Sequence, residues 1–332
     1  MTRFRTTIDL PEGEHSITHR ENMLIAGSCF AGNIGSMLAQ RKFNISINPF
    51  GVLYNPLSIS TMLMRVIDGR VFTEESPEIF EYGGKWHSIL HHSDFSRNTR
   101  DKLLETINGT IKESHDRANR CSTVIITFGT AYTYTRNSDG TVAGNCHKLP
   151  AKEFTRRLLG IDEIVGTTAD VIERYRQANP GIKFIFTVSP IRHLRDGAHD
   201  NQKSKATLLL AIDRLQELFP ENVLYFPAYE ILLDELRDYR FYADDMVHPS
   251  QVAVVYIWEC FGRCYFNAST QKLNKEIEEI IRATGHRPFD AASDGYKSFL
   301  RNLLKKIEAI EKKNPYLDFG NEKTQCNTLL NR

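Results

Sequence analysis

The chain has 332 residues, room for one large α/β domain or two smaller ones. Its formal net charge of +1 excludes bulk attraction to nucleic acid or to an anionic membrane surface, and no apolar run approaches the roughly 18–20 residues that a bilayer span needs. The six cysteines, Cys29, Cys121, Cys146, Cys260, Cys264 and Cys326, show neither a CxxC pair nor a zinc spacing; they read as the reduced thiols of a cytoplasmic protein, and the N-terminal MTRFRTTIDLPEGEH lacks a signal-peptide core.

Taken in chain order, NMLIAG (22–27) predicts a buried strand and AGNIGSMLAQRKF (31–43) the helix after it. NISINPFG (44–51) predicts a second strand, broken by Pro49 and Gly51, and PLSISTMLMRVIDG (56–69) a helix stopped by Gly69. The segment 70–100 breaks the alternation and reads as an inserted hairpin or flap over the sheet, with Trp86 covering a site. STVIITFG (122–129), KFIFTVSP (183–190) and NVLYFPA (222–228) are three further strands, and 166–181 and 205–220 are the helices between them. Strands separated by helices of this length pair in parallel through right-handed crossovers, so the fold class is a doubly wound, mainly parallel five-stranded α/β sheet with helices on both faces. Residues 1–267 form this domain; 268–332 form a helical C-terminal extension, with helices over 271–285 and 296–314 and a frayed end at EKTQCNTLLNR.

In an open parallel sheet, ligands bind beyond the carboxyl ends of the strands. There the sequence places Gly27-Ser28-Cys29, Pro49-Phe50-Gly51, Gly129-Thr130-Ala131-Tyr132, Ser189-Pro190-Ile191-Arg192-His193 and, after the fifth strand, YADDMVHPS with Asp244, Asp245 and His248. A Ser or Cys nucleophile needs a base to take its proton, and the base needs a group to orient it. Asp245 and His248, three residues apart in a turn, can set the carboxylate against Nδ1 and leave Nε2 facing outward; Pro249 is expected as the first residue of the next helix.

Those positions resemble the blocks of the SGNH/GDSL hydrolases. More closely, GSCFA, NPFGVLYNP, NCHK, SPIRH and DDMVHPS, in this order over about residues 20–265, are similar to the GSCFA-domain family, which is grouped with that fold. The resemblance implies a flavodoxin-like, SGNH-type sheet and an acyl-group hydrolase or transferase, of esterase or O-acyltransferase type. The substrate would be a small-molecule or carbohydrate ester, and no metal or cofactor, nucleic acid or membrane is implied. In the family register Cys29 takes the nucleophile position and Ser28 the position of the aspartate that follows the glycine; Ser28 remains the alternative nucleophile. His248 would be the base, Asp245 its orienter, and the N–H groups of Cys29 and Gly51 the oxyanion donors. The third block departs from the pattern, because Gly129-Thr130-Ala131-Tyr132 has no asparagine donor. Thr130, Asn145, His147 or Arg192 would substitute, and Arg192 with His193 could bind a substrate carboxylate, phosphate or sugar hydroxyl.

A cysteine at a helix N-terminus beside an imidazole is expected to have a lowered pKa and to supply thiolate near neutral pH. Two other readings compete: a non-catalytic ligand-binding module on a degenerate scaffold, motivated by the missing asparagine, and a thiol-sensing role for Cys29. His87 and His91 would share a metal-binding face only if their segment were helical.

Overall fold

Met23 and Ile25 face one side of the first strand and Leu24 and Ala26 the other, and all four are fully buried. This period of two, with both faces covered, generates the architecture. The computed structural model describes residues 5–286, 288–290 and 293–331. The elements begin with β1 (Asn22–Gly27), α1 (Cys29–Gln40), β2 (Asn44–Ile47) and α2 (Pro56–Asp68). A hairpin of β3 (Ile79–Tyr82) and β4 (Lys85–Ser88) precedes α3 (Arg100–Ala118) and β5 (Cys121–Phe128). A second antiparallel pair, β6 (Tyr132–Arg136) and β7 (Phe154–Leu158), precedes α4 (Ile161–Ala178), β8 (Lys183–Val188), α5 (Ala198–Leu218) and β9 (Val223–Tyr225). A short turn, α6 (Ala228–Glu230), and α7 (Gln251–Tyr265) close the domain. Then come α8 (Ala268–Thr284), α9 (Asp294–Lys313) and α10 (Gly320–Leu330).

The central sheet has five parallel strands in the order β2-β1-β5-β8-β9. The order reverses between β1 and β5, the switch point at which such sheets bind ligands. Leu24, Val124 and Phe184 face α2, α3, α4 and α5, whereas Ile25, Ile125 and Ile185 face α1 and α7. The C-terminal helices hold a separate core around Ile277, Leu300, Ile307 and Phe319. They are tied back to the end of α1 by Arg41–Glu278 at 2.5 Å and Lys42–Glu322 at 2.7 Å. Among the described residues no helix is long and apolar enough to cross a membrane.

The expected strands all form, with ends shifted by a few residues. α2 starts as its composition requires: Asn55 Oδ1 accepts the Ser58 N–H at 2.9 Å, Pro56 stands in the first turn, and Gly69 ends the helix in the left-handed region. Four differences matter. α1 begins two residues earlier than expected, which puts Cys29 on the helix itself. α3 was not anticipated; Leu103, Ile107 and Ile111, four apart in a polar run, are its buried stripe. Pro249 is not the first helical residue: it bridges back to Tyr242, and Ser250 caps α7. The end of the chain forms α10 rather than fraying, because Phe319 and Cys326 are fully buried in the C-terminal core.

Candidate active site

The elbow begins where β1 is pressed against β5. Gly27 takes φ +142°, and a Cβ there would lie 2.2 Å from the Thr127 carbonyl oxygen, so only glycine can end the strand this way. Ser28 is the extended cap residue and Cys29 the first residue of α1. Ser28 is 1% exposed, and its Oγ has no partner among the described residues. Cys29 is half-buried, with its sulfur 4.0 Å from His248 Nε2. Of the two adjacent candidate nucleophiles, the geometry thus brings Cys29 to the imidazole.

His248 is presented by a tight loop. Ala243 N–H donates to His248 O at 2.8 Å, Ser250 N–H to Phe241 O at 2.7 Å, and Met246 sits in the left-handed region at φ +59°. Asp245 Oδ1 accepts the N–H groups of Val247 and His248, both at 2.9 Å, and Asp245 Oδ2 lies 2.6 Å from His248 Nδ1. These bonds, led by the backbone N–H groups, hold the Asp245 carboxyl down at about 2. A carboxylate on Nδ1 leaves Nε2 as the nitrogen that faces sulfur. Thiol, imidazole and carboxylate stand in the order in which a proton can be taken and its charge stabilised. A contact of 4.0 Å is the looser geometry usual for such pairs without substrate.

The expected lowering of the Cys29 pKa is not found. Burial pushes the thiol up, and the opposing pull of the Cys29 and Phe30 N–H groups does not outweigh it. Cys29 therefore rests as a thiol near neutrality.

The Gly51 N–H is not a free oxyanion donor. It donates to Asn48 O at 2.7 Å, and Gly51 is glycine for packing: at φ +77°, a Cβ would lie 2.4 Å from the Cβ of His92 in the flap. Gly129 and Thr130 are also committed. Both N–H groups donate to Tyr54 O, at 2.8 and 3.0 Å, and Thr130 Oγ1 pairs with Ser204 Oγ at 3.0 Å. Asn145 and His147 are bound to the flap instead. Asn145 Oδ1 accepts the His147 N–H at 2.8 Å, and His147 Nε2 lies 2.8 Å from Ser88 O. Among the described residues, the first-turn N–H groups of α1 at the elbow donate to no oxygen, and those of Cys29 and Phe30 face the Cys29 thiol.

Arg192 is exposed on the rim, near enough to Tyr229 and Tyr242 to counter the upward push of burial on both phenols. His193 is held at about 4, by burial first and then by the charges of Lys205 and His248, so it is a neutral wall. Its ring meets Tyr54 edge-on, with centroids 5.7 Å apart. Trp86 stacks on the Arg100 guanidinium at 4.3 Å and bridges to Arg97 within the flap. His87 lies on β4, not on a helix, and its nitrogens face Ser96 Oγ at 2.7 Å and Tyr82 O at 3.0 Å. Among the described residues no group of three or more His, Cys, Asp or Glu side chains is arranged to hold a metal ion.

Two residues beside this rim were missed by sequence reasoning. The Tyr54 phenol is pushed up by burial and by the neighbouring Cys29. Lys205 is 1% exposed, and its Nζ donates to Gly129 O and Ser189 O, both at 2.7 Å, clamping the ends of β5 and β8. Its signal was present: Lys205 shares the helical stripe of Leu208, Ile212 and Leu215.

The model of the GSCFA family matches residues 22–261, and that of the GSCFA domain protein C-terminal domain matches 277–332. No curated protein matches the chain. Among solved structures, a carbohydrate esterase family 3 protein from Talaromyces cellulolyticus matches at 12% identity and a TM-score of 0.31, over 77% of this chain and 98% of that one.

Proposed function

The chain belongs to the GSCFA family, and from that premise we propose that it is an acyl-group hydrolase or transferase with Cys29 as its nucleophile. The observation that carries this reading is the line from the Cys29 sulfur through His248 Nε2, 4.0 Å away, to Asp245 Oδ2, 2.6 Å from Nδ1. A buried, unpartnered Ser28 hydroxyl supports Cys29 over its neighbour.

Because burial raises the thiol, His248 takes the Cys29 proton as the sulfur attacks. The S–C bond forms, and the carbonyl π pair moves onto oxygen. Asp245 stabilises the imidazolium. Collapse expels the leaving alkoxide, which receives the proton from His248 and leaves a thioester on Cys29. Water, or another hydroxyl or amine, then attacks with His248 again as base. That second step distinguishes hydrolysis from transfer. The ester of a small molecule or carbohydrate, as the family resemblance implies, is the substrate class.

The test is p-nitrophenolate release from p-nitrophenyl acetate by wild type, Cys29→Ala, Ser28→Ala and His248→Ala. Loss in Cys29→Ala and His248→Ala with retention in Ser28→Ala is expected. Loss in Ser28→Ala alone, or equal release by all four, would overturn the reading.

A further inference from the structure

A tetrahedral acyl intermediate needs donors aimed at its oxygen, and a side-chain donor beside the backbone N–H groups is worth on the order of 10²–10³ in rate. Gly51, Gly129 and Thr130 have no free N–H, and the Ala131 N–H is taken by Ser204 Oγ at 2.8 Å. One side-chain donor does stand at the elbow. Asn48 follows β2 in the left-handed region, at φ +45°, a conformation that asparagine tolerates better than most residues. Three hydrogen bonds hold it there: its N–H donates to Ile25 O at 2.8 Å, its carbonyl accepts the Gly51 N–H at 2.7 Å, and Oδ1 accepts the Gly27 N–H at 2.9 Å.

The last bond orients the amide. Because Gly27 N–H is a donor, Oδ1 must face it, and Nδ2 must point the other way. Nδ2 has no hydrogen-bond partner among the described residues, and Asn48 is half-exposed rather than sealed. It comes 3.8 Å from where a Cβ on Gly32 would lie. Gly32 is one turn beyond Cys29 on the same face of α1, and a Cβ there leans back toward the helix start. The Asn48 amide therefore spans the flank of the elbow, from two residues before the candidate nucleophile to three after it.

We infer that Asn48 Nδ2 donates to the developing oxyanion, alongside the first N–H groups of α1, and does the work for which position 131 has no side-chain donor. The inference rests on the acyl-transfer reading above. Its rationale is preorganisation: strain at φ +45° is retained, two backbone bonds fix the residue, one bond to the Gly27 N–H fixes the side chain, and the free donor is the product.

The experiment compares two reactions of Cys29, acylation by p-nitrophenyl acetate and alkylation by iodoacetamide, in wild type, Asn48→Asp and Asn48→Gly. Only acylation forms an oxyanion. Asn48→Asp keeps an acceptor for the Gly27 N–H and removes the donor; Asn48→Gly keeps the left-handed backbone and adds no charge. Acylation is expected to fall on the order of 10²–10³-fold in both, with alkylation changed less than about tenfold and a cooperative melt retained. Unchanged acylation in Asn48→Gly, or an equal fall in both reactions, overturns the assignment of Asn48 alone. No acylation of wild type that alkylates normally overturns the acyl-transfer reading, and this inference with it.

Discussion

Two groups of histidines occupy opposite environments in this molecule. His248 stands on an exposed loop, its side chain 49% accessible, with a carboxylate on one nitrogen and a thiol facing the other. His87 and His91 in the flap, and His147 packed against it, are 8%, 0% and 6% exposed. They bond to Ser96, Tyr82 and Ser88, and no carboxylate is among these partners. Burial holds His147 at about 4 and His91 well below the ordinary value, so both stay neutral. The sequence is richer in histidine at the flap, yet His248, with Asp245 three residues before it, is the one whose ring lies between a carboxylate and the Cys29 sulfur. Residue type marks a candidate; partners and access decide what it can do.

The largest expected effect separates the two groups. His248→Ala should lower acylation of the protein by p-nitrophenyl acetate on the order of 10²–10⁴-fold and leave unfolding within about 0.5 kcal/mol of wild type. His147→Ala should do the reverse, retaining acylation while losing about 1–3 kcal/mol in urea unfolding, since it removes a buried ring and the Ser88 partner. The same result from both variants would erase the distinction.

A second effect follows from the titration of the buried group. His147 is held at about 4 when folded against 6.5 in the open chain, so between these values the unfolded chain binds more protons. Stability should therefore fall as pH drops from about 6.5 toward 4, by about 3 kcal/mol at most from this residue. Urea midpoints measured from pH 7 to pH 4 check it, and His147→Ala should flatten the decline. The smallest effect belongs to the candidate that the elbow buries. Ser28→Ala removes an unpartnered hydroxyl and should shift stability by less than about 1 kcal/mol in either direction, with acylation intact.

The sheet was legible because β1, β5 and β8 are buried runs bounded by glycine or by Ser189-Pro190. Cys29, His248 and Asp245 could be singled out as candidates because an elbow and a short DxxH loop are local features. What could not be read was approach between distant segments. Nothing local shows that the Gly51 N–H turns back to Asn48, that Tyr54 O takes the Gly129 and Thr130 donors, or that Lys205 reaches two strand ends. The pKa of Cys29 failed for the same reason: a helix start and an imidazole can be read from sequence, but the burial that outweighs them cannot.

The central claim is that Cys29, and not Ser28, carries the acyl group. Peptide mapping by mass spectrometry after brief exposure to p-nitrophenyl acetate tests it directly. The account predicts a single acetyl adduct on Cys29, lost in Cys29→Ala and strongly slowed in His248→Ala. An adduct on Ser28, or equal labelling of Cys29 with and without His248, would contradict it.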